Sequence, residues 1–393
     1  MDNLAHSLVG LTTAKAGLER LSPLATTVCV LAANSPDVDV AIGLFSDRWT
    51  LLKHHRGLTH SIVGTLALGI LLPLIFYFAE RAIARLRRRA PQIRLRGLLI
   101  ASLITTATHP LMDWTNNYGV RPLLPWDGRW FYGDLTFVID PYLWLIVGGA
   151  AFLLTSNRRF KMAGWILLGL AVTVLIFLGS GQRAGAGASL GPIRLIWLSG
   201  ILLFALGRWL KFNERFGSRI AISALAFVVL YWSGLAVAHH FAFQSAIKNA
   251  SLFVNPAHEK IVKAAAMPTL GSPRRWLCVI ETDQALYRFS IKLGGIGPFD
   301  GTNQVNDPYR MATMPGVQRF PKPVGATAKL VTVAAQDRRA QIFLDFARFP
   351  TAEVDEENCV SQTLVQFADV RYTEPGSGRG SFSLNVPVDC PAP

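Results

Sequence analysis

Seven side chains of the types that ligate metal ions lie at the ends of strongly apolar segments. They are His6, Asp37, Asp39, His55, His60, His109 and Asp113. Ionisable groups at membrane depth are costly to bury, so in such a chain they indicate function rather than packing. Imidazole and carboxylate ligands without thiolates suit Zn²⁺, Mn²⁺ or Fe²⁺. The sequence therefore predicts a divalent metal site at a lipid–water boundary, with zinc as the first choice and room for more than one ion.

The spacing of the Asp and His pairs predicts how each is presented. His109 and Asp113 are four residues apart, which places both on one face of a helix at a distance suited to one ion. Pro110 between them fits if it begins a new turn or kinks the helix. Asp37 and Asp39 follow a proline and are two residues apart, so we expect them to chelate from an extended turn. Taken alone, an Asp pair in a loop is more often a helix cap or a turn.

Two further imidazoles lie on either side of a glycine. His55 and His60 are five residues apart, a poor match to one helix face, so we expect a loop that leads into a helix. Thr59 or Ser61 would cap that helix. Because His54 precedes His55, the sequence leaves open which of the two faces the metal.

Three residues are candidates for a direct role in catalysis. Arg56 would stabilise charge that develops on a phosphoryl oxygen, and an interfacial anchor is an equal alternative. Asn117 would orient ligands or substrate, or form a turn with Gly119. Asp134 precedes the next apolar segment, where Asp140 is expected to cap a helix.

The composition indicates an integral membrane protein. Of 393 residues, 51% are hydrophobic and only 16% are charged, against about a quarter charged in typical globular domains. We predict membrane spans at about 61–79, 97–112, 138–154, 162–180, 192–207 and 220–240. They follow an apolar segment at 21–45 that Pro36 interrupts, since the residue before proline resists the helical conformation.

The net charge of +14 is concentrated in loops between the apolar segments. Arg and Lys clusters lie within 81–96, 158–161 and 208–219, and the positive-inside rule places all three on the cytoplasmic side. This pattern favours topology over nucleic-acid binding, and no nucleic-acid partner is expected. Alternation then brings the ligand segments together on the outer face. His6 joins them if the first helix runs inward from it, although a lone histidine is more often an ordinary packed residue.

After about residue 244, Gly and Pro punctuate short alternating segments typical of strands. The predicted strands are Trp276–Glu281, Leu286–Leu293, Gln341–Phe346, Leu364–Phe367 and Ser381–Val386. The predicted fold is an α-helical polytopic membrane domain followed by a small β-rich extracytoplasmic domain. We predict three parts of the chain: a metal-binding core at 1–145, additional transmembrane helices at 146–243 and a soluble domain at 244–393. One disulfide among the three C-terminal cysteines is compatible with that location, and the sequence does not fix its pairing.

Four short motifs, taken in chain order, resemble the YdjM-type family of inner-membrane, metal-dependent hydrolases. They are Asp2–Ser7, Ser35–Asp39, His55–Ser61 and His109–Asp113, followed by Asn117, Tyr118, Gly119, Asp134, Asp140 and Pro141. The resemblance covers about the first 145 residues, and His55–Ser61 is its most specific part. It implies residence in a bacterial inner membrane, hydrolase activity and a metal held at the seven His and Asp positions. The ligand order is also distantly similar to zinc-dependent phospholipase C and related nucleases, which cut phosphodiesters.

The sequence-based hypothesis is a membrane-bound, metal-dependent hydrolase that acts at the outer face on a phosphoester or lipid-linked substrate. Its partners would be the lipid bilayer and a small-molecule or lipid substrate. A metal-transporting or metal-sensing membrane protein is the main alternative, and it predicts ligands near the bilayer midplane and inverted repeats. A non-enzymatic membrane scaffold whose C-terminal domain binds a partner is the third reading.

Overall fold

A computed structural model describes residues 1–178, 191–255, 257–294, 316–355, 361–376 and 382–390. The chain forms two compact units. The first comprises Met1–Asp39, Arg56–Ala236 and Pro268–Ser272, and the second comprises Val40–His55, Val237–Met267 and Pro273–Pro393. The predicted three-part division, with boundaries at residues 145 and 243, stays a prediction.

The first unit is helical. Its helices are α1 (Asn3–Lys15), α2 (Ala25–Asn34), α4 (Ile62–Leu86), α5 (Leu95–Trp114), α6 (Pro141–Thr155), α7 (Arg159–Leu178), α8 (Gly191–Trp209), α9 (Phe212–Phe216) and the first part of α10 (Ser218–Ala250). As predicted, α2 ends before Pro36, and a 3₁₀ helix over Ser35–Leu44 continues from it.

Five helical segments in the described part of the chain are long and apolar enough to cross a membrane. They are Ala25–Leu44, α4, α7, α8 and α10. The last four correspond to the predicted spans at 61–79, 162–180, 192–207 and 220–240, of which residues 179–180 lie outside the described ranges. The spans predicted at 97–112 and 138–154 correspond to α5 and α6, which are not among the five. α6 has only fifteen residues, and α5 is less apolar because one of its faces carries threonines, His109 and Asp113.

Side-chain caps fix where three of these helices begin. Asp2 accepts a 2.9 Å hydrogen bond from the backbone amide of Ala5 at the start of α1. Ser61 accepts a 3.1 Å bond from the amide of Gly64 at the start of α4, and Asp140 caps α6. Each satisfies an amide that the first helical turn cannot pair internally. The caps predicted at Ser61 and Asp140 are confirmed.

Close packing of α1 on α2 brings two of the functional segments together. A Cβ added at Gly10 of α1 would lie 2.7 Å from the carbonyl oxygen of Cys29 and 2.8 Å from Cβ of Ala33, so this crossing requires glycine. On its other side α1 packs against α6, where Leu8 and Val147 belong to one buried apolar cluster.

The second unit contains two sheets and three shorter helices. Strands β1 (Ile261–Thr269), β2 (Ser272–Thr282), β3 (Ala285–Lys292) and β4 (Gln318–Pro321) form one sheet in that order. Strands β5 (Pro350–Val354), β6 (Gln362–Asp369) and β7 (Ser383–Asp389) form the other, with antiparallel neighbours. The helices are α3 (Arg48–His54), α11 (Gly325–Ala334) and α12 (Arg338–Phe346). A β-sheet-containing C-terminal region is therefore confirmed.

Four of the five predicted strands fall on β2, β3, β6 and β7, with Ser381 outside the described residues. The strand predicted at Gln341–Phe346 is wrong, because these residues form α12. Asp337 caps that helix by accepting a 2.7 Å hydrogen bond from the amide of Arg339. Its buried residues Ala340, Phe343 and Phe346 recur every three positions, the period of a helix face rather than of a strand. Nearby, Cys390 is disulfide-bonded, whereas Cys29 and Cys278 are free.

Candidate metal centre

Four of the seven predicted ligands converge in the first unit. Asp37 comes from the 3₁₀ helix after α2, His60 from the turn before α4, and His109 and Asp113 from one face of α5. One ligand atom from each lies within 4.8 Å of the other three. The prediction that His109 and Asp113 share a helix face is confirmed, with Pro110 inside the helix. The predicted extended turn is wrong, because Asp37 and Asp39 lie in a 3₁₀ helix.

The distances within this cluster fit one four-coordinate ion. Nε2 of His60 lies 3.1 Å from Nε2 of His109, 3.3 Å from Oδ1 of Asp37 and 3.3 Å from Oδ2 of Asp113. Nε2 of His109 lies 3.4 Å from each of the same two carboxylate oxygens. A tetrahedron with bonds of about 2.0–2.1 Å from ion to ligand, as in zinc sites, has edges of about 3.3–3.4 Å. These separations therefore match the edges of a tetrahedral site.

Hydrogen bonds on the far side of each imidazole fix its tautomer. Nδ1 of His109 lies 2.6 Å from the carbonyl oxygen of Ala33, which can only accept, so Nδ1 carries the proton. Nδ1 of His60 lies 3.2 Å from Oδ2 of Asp39, which also accepts from the hydroxyl of Thr59 at 2.9 Å. In both rings Nε2 is then left with its lone pair. Such oriented pairs are the usual supports of metal-binding histidines.

This arrangement leaves four electron-pair donors facing one another. Each imidazole Nε2 lies 3.1–3.4 Å from the other Nε2 and from one oxygen of each carboxylate, on side chains that are buried or nearly so. Acceptors at such distances repel in a low-dielectric interior unless a proton or a cation lies between them. The residues present therefore fit a divalent cation, and the cluster could hold one.

His6 lies beside the cluster but is not one of its four members. Its ring stacks on His109 with centroids 3.7 Å apart, and Nε2 is 3.4 Å from Oδ1 of Asp113. The side chain is fully buried, and neither ring nitrogen has a hydrogen-bond partner among the described residues. Burial holds the pKa of His6 well below its ordinary value, so the ring is neutral at pH 7. A fifth ligand role for His6 stays a prediction.

Arg56 ties Asp113 to the segment that follows α5. Its backbone is left-handed, with φ of 54°, and its side chain is buried. Nη2 lies 3.0 Å from Oδ1 of Asp113, and Nη1 donates to Oδ1 of Asn116 at 2.9 Å. The guanidinium also lies over the ring of Tyr118, and the α-amino group of Met1 contacts the same oxygen of Asp113. One oxygen of Asp113 thus faces the guanidinium of Arg56 and the amino group of Met1, while the other faces the histidine pair.

His55, Asn117 and Asp134 are not members of the four-residue cluster. His55 follows α3 and belongs to the second unit. Asn117 is buried just after α5. Asp134 is buried with φ of 53°, and amides on either side of it bond to the carbonyls of Trp114 and Thr115 at 2.7 Å. The catalytic roles of Arg56, Asn117 and Asp134 stay predictions.

Comparison with known proteins supports the resemblance of the N-terminal motifs. Residues 1–182 match the YdjM inner membrane protein family. The predicted resemblance to that family is thereby confirmed, and the inner membrane is the family's location. The chain is also 26% identical over 155 residues to the uncharacterized protein YfhP of Bacillus subtilis (strain 168). That match covers 37% of this chain and 43% of the relative, so it spans less than half of either protein. No solved structure matches the chain.

Within the YdjM-matching segment, sequence reasoning missed some groups that orient the ligands. The carbonyl of Ala33 carries no side-chain signal, so its bond to His109 was not predictable. Thr59 was expected only as a helix cap, yet its hydroxyl lies 2.9 Å from Asp39 and 3.0 Å from Nδ1 of His60. Its position next to His60 was the available signal.

Proposed function

We propose that this protein is a membrane-bound, metal-dependent hydrolase acting on a phosphoester or lipid-linked substrate. Asp37, His60, His109 and Asp113 hold the ion, with zinc the first choice and manganese or iron as alternatives. The observation that supports this best is the set of five separations of 3.1–3.4 Å among their donor atoms. Mixed imidazole and carboxylate ligands suit these metals.

A divalent ion that accepted one ligand beyond these four side chains would polarise a carbonyl or phosphoryl oxygen and make water a stronger acid, which is the chemistry of hydrolysis. The chain's own residues supply orientation. Asp39 holds the ring of His60, the carbonyl of Ala33 holds the ring of His109, and Arg56 holds Asp113. Loss of such supporting partners typically lowers metal affinity or activity by about 10–100-fold.

The proposal also includes two further predicted ligands, His6 and His55, and two catalytic candidates, Asn117 and Asp134. His6 has two buried ring nitrogens without hydrogen bonds among the described residues, beside Asp113. Asn117 and Asp134 are both buried near the end of α5, as residues that orient substrate would be. Asn117 follows α5 by three residues, and the neighbours of Asp134 form backbone hydrogen bonds to Trp114 and Thr115. His55 lies five residues before His60 in the motif.

The cellular arrangement is proposed from charge. The Arg and Lys clusters within 81–96, 158–161 and 208–219 would face the cytoplasm of a bacterial cell. The chain would cross the inner membrane several times, and the β-sheet-containing region would be periplasmic. The metal cluster would then lie at the outer face.

The position of the ligands favours an enzyme over a transporter. His60 lies just before the first residue of α4, and Asp113 is the penultimate residue of α5. Transporters bind their cargo near the bilayer midplane, typically where helices are interrupted. His60 and Asp113, at helix ends, are instead within reach of substrates at the membrane surface; Asp37 lies inside the apolar segment Ala25–Leu44 and does not distinguish the two functions.

Elemental analysis of detergent-purified protein tests the site. We expect one zinc, manganese or iron ion per chain in the wild type, and loss of that ion in His60→Ala and in Asp113→Ala. His240→Ala is the matched control, because His240 is an exposed histidine of α10. Phosphoester hydrolysis should be lost together with the metal. Full occupancy in the two variants would overturn the site, and metal without hydrolysis of any phosphoester or lipid would overturn the activity.

A further inference from the structure

The outward face of α5 is apolar along the whole length that carries the ligands. Between residues 97 and 114, the exposed positions are Ile100, Ile104, Ala107, Leu111 and Trp114. These 18 residues rise by about 27 Å, close to the roughly 30 Å of a bilayer's hydrocarbon core. The buried face of the same helix carries His109 and Asp113. The helix therefore presents hydrocarbon-like surface outward and metal ligands inward.

α4 repeats this arrangement beside α5. Its exposed positions over residues 62–79 are Ile62, Val63, Leu66, Ala67, Ile70, Leu71, Ile75, Phe78 and Ala79. They begin two residues after His60 and end just before the Arg-rich segment 81–96. α4 and α5 pack together, and each has this Arg-rich segment at one end and metal ligands at the other. We call the exposed residues of the two helices the apolar outer face.

The apolar outer face reaches the level of the metal ligands. Leu111 is 60% exposed and lies two residues from both His109 and Asp113, while Trp114 is 42% exposed next to Asp113. Ile62 is 57% exposed, two residues beyond His60. Exposed apolar residues also flank the ligands outside the two helices. Leu58 lies two residues from His60, and Val38 lies next to Asp37.

The end of the apolar outer face also has the character of a membrane interface. Exposed tryptophan is enriched at the headgroup level of bilayers, and Trp114 lies in the last turn of α5. In the next loop Arg129 is 76% exposed and a second tryptophan, Trp126, is 81% exposed. The ligands therefore lie where hydrocarbon gives way to headgroups, which is the depth of the phosphoester bonds of phospholipids.

We propose that the substrate is a phospholipid of the surrounding bilayer, whose acyl chains lie along the apolar outer face while its phosphoester reaches the metal cluster. This inference rests on the proposed hydrolase function and narrows its substrate class. A water-soluble phosphoester would gain nothing from exposed Leu58, Leu111 and Ile62 beside the ligands, whereas an acyl chain would contact all three. Ile62 is continuous with the exposed apolar surface of α4, a helix long and apolar enough to cross a membrane, and lipid is the partner that such a surface takes.

The proposed reaction is a hydrolysis that needs only water. Water adds to the phosphorus, the phosphorus–oxygen bond to the leaving alcohol breaks, and that alcohol oxygen takes up one proton. The products are a free alcohol, which keeps the ester oxygen, and a phosphate in which the oxygen of water, with the second proton, has replaced it. No oxidant, reductant or further co-reactant is required.

The first test measures lipid contact independently of activity. The full-length protein is made with the photo-crosslinker p-benzoylphenylalanine in place of Leu111 or of Arg129. It is then reconstituted in vesicles of phosphatidylethanolamine and phosphatidylglycerol. We expect a phospholipid adduct, detected as a mass increase of the intact protein, after irradiation of the Leu111 protein and little or none for Arg129. Absence of an adduct at Leu111 would overturn the inference whatever the enzyme's activity.

The second test compares substrates with the zinc-loaded full chain. Hydrolysis of the vesicle phospholipids, followed by mass spectrometry, should exceed that of soluble p-nitrophenyl phosphate and should vanish in His109→Ala. Leu111→Gln should lower lipid turnover by about tenfold or more while the metal content stays at the wild-type level. Leu202→Gln is the matched control, because Leu202 is an exposed leucine of α8 and should leave lipid turnover unchanged.

The outcomes separate this inference from the function on which it rests. Soluble phosphoester cleaved with His109-dependence, together with untouched vesicle lipid, would overturn the lipid inference and leave the hydrolase standing. No cleavage of either substrate by metal-loaded protein would overturn the hydrolase and the inference with it. Equal loss of lipid turnover in Leu111→Gln and Leu202→Gln would remove the special role of the residues near the ligands.

Discussion

Replacing Asp39 with asparagine should weaken metal binding without abolishing it. Oδ2 of Asp39 lies 3.2 Å from Nδ1 of His60 and accepts from the backbone amide of Arg56 at 3.0 Å and the hydroxyl of Thr59 at 2.9 Å. Asp39 is not among the four side chains whose donor atoms meet at the centre. The amide oxygen of asparagine can accept the same bonds, so the ring of His60 keeps its orientation and loses only the neighbouring negative charge.

The size of this effect follows from the contact between Asp39 and His60. Two unit charges 3.2 Å apart would interact by about 5 kcal/mol at an effective dielectric constant of about 20. A neutral imidazole that binds a cation carries only a fraction of a unit charge. The expected loss of metal-binding free energy in Asp39→Asn is therefore about 1.4–2.7 kcal/mol. That corresponds to about 10–100-fold in affinity, the range typical of partners that orient metal-binding histidines.

Competition with a fluorescent zinc chelator in detergent measures this affinity. We expect Asp39→Asn to bind zinc about 10–100-fold more weakly than the wild type and Asp113→Asn to bind none. Asp47→Asn makes the same chemical change at the exposed cap of α3 and should bind zinc as the wild type does, since asparagine also caps helices well. A loss in Asp39→Asn as complete as that in Asp113→Asn would make Asp39 a ligand. No change at all would refute the supporting role.

Three further substitutions test the packing around the centre. In Gly64→Ala the new Cβ would lie 1.8 Å from a backbone carbonyl of the turn that carries His60. Zinc affinity and the melting temperature should therefore both fall. Gly164→Ala should change neither, because its Cβ would meet nothing within 4 Å. Arg56→Lys cannot keep two bonding nitrogens in a rigid fork, so zinc affinity in the chelator assay should fall by about tenfold, and an unchanged value would exclude Arg56 as the group that holds the ligand carboxylate. Phe343→Ala removes a fully buried ring from the second unit. Denaturation should show a loss of about 3–5 kcal/mol in the unfolding free energy of that unit, while the zinc content stays at the wild-type level. A loss of zinc would contradict the assignment of the centre to the first unit.

The sequence predicted those parts of the centre that depend on local periodicity. His109 and Asp113 share a face because four residues nearly complete a helical turn, and Ser61 caps α4 because its hydroxyl can reach the amide of Gly64. These relations hold within a few residues and need no tertiary information. The helical first part and the sheet-containing second part were predictable for the same reason.

Other parts of the centre depend on contacts that spacing does not encode. Asp37 and Asp39 are equivalent in a linear motif, and only the 3₁₀ helix directs Asp37 to the two Nε2 atoms and Asp39 to Nδ1 of His60. The support of His109 by a backbone carbonyl has no side-chain signature either. Nor could alternation distinguish strand from helix at Gln341–Phe346, where the buried residues of α12 are the result of packing.

Charge balance ties the number of ions to Arg56. The buried groups around the centre include three carboxylates, Asp37, Asp39 and Asp113, and one guanidinium, while burial lowers the pKa of His6 and of the Met1 α-amino group, so both count as neutral. Their sum is −3 + 1 = −2, the charge that a single divalent ion neutralises. A second ion would bring an uncompensated charge of +2 into a low-dielectric interior, at a cost of several kcal/mol. Elemental analysis should therefore find one ion per chain, and two ions per chain would contradict this charge balance.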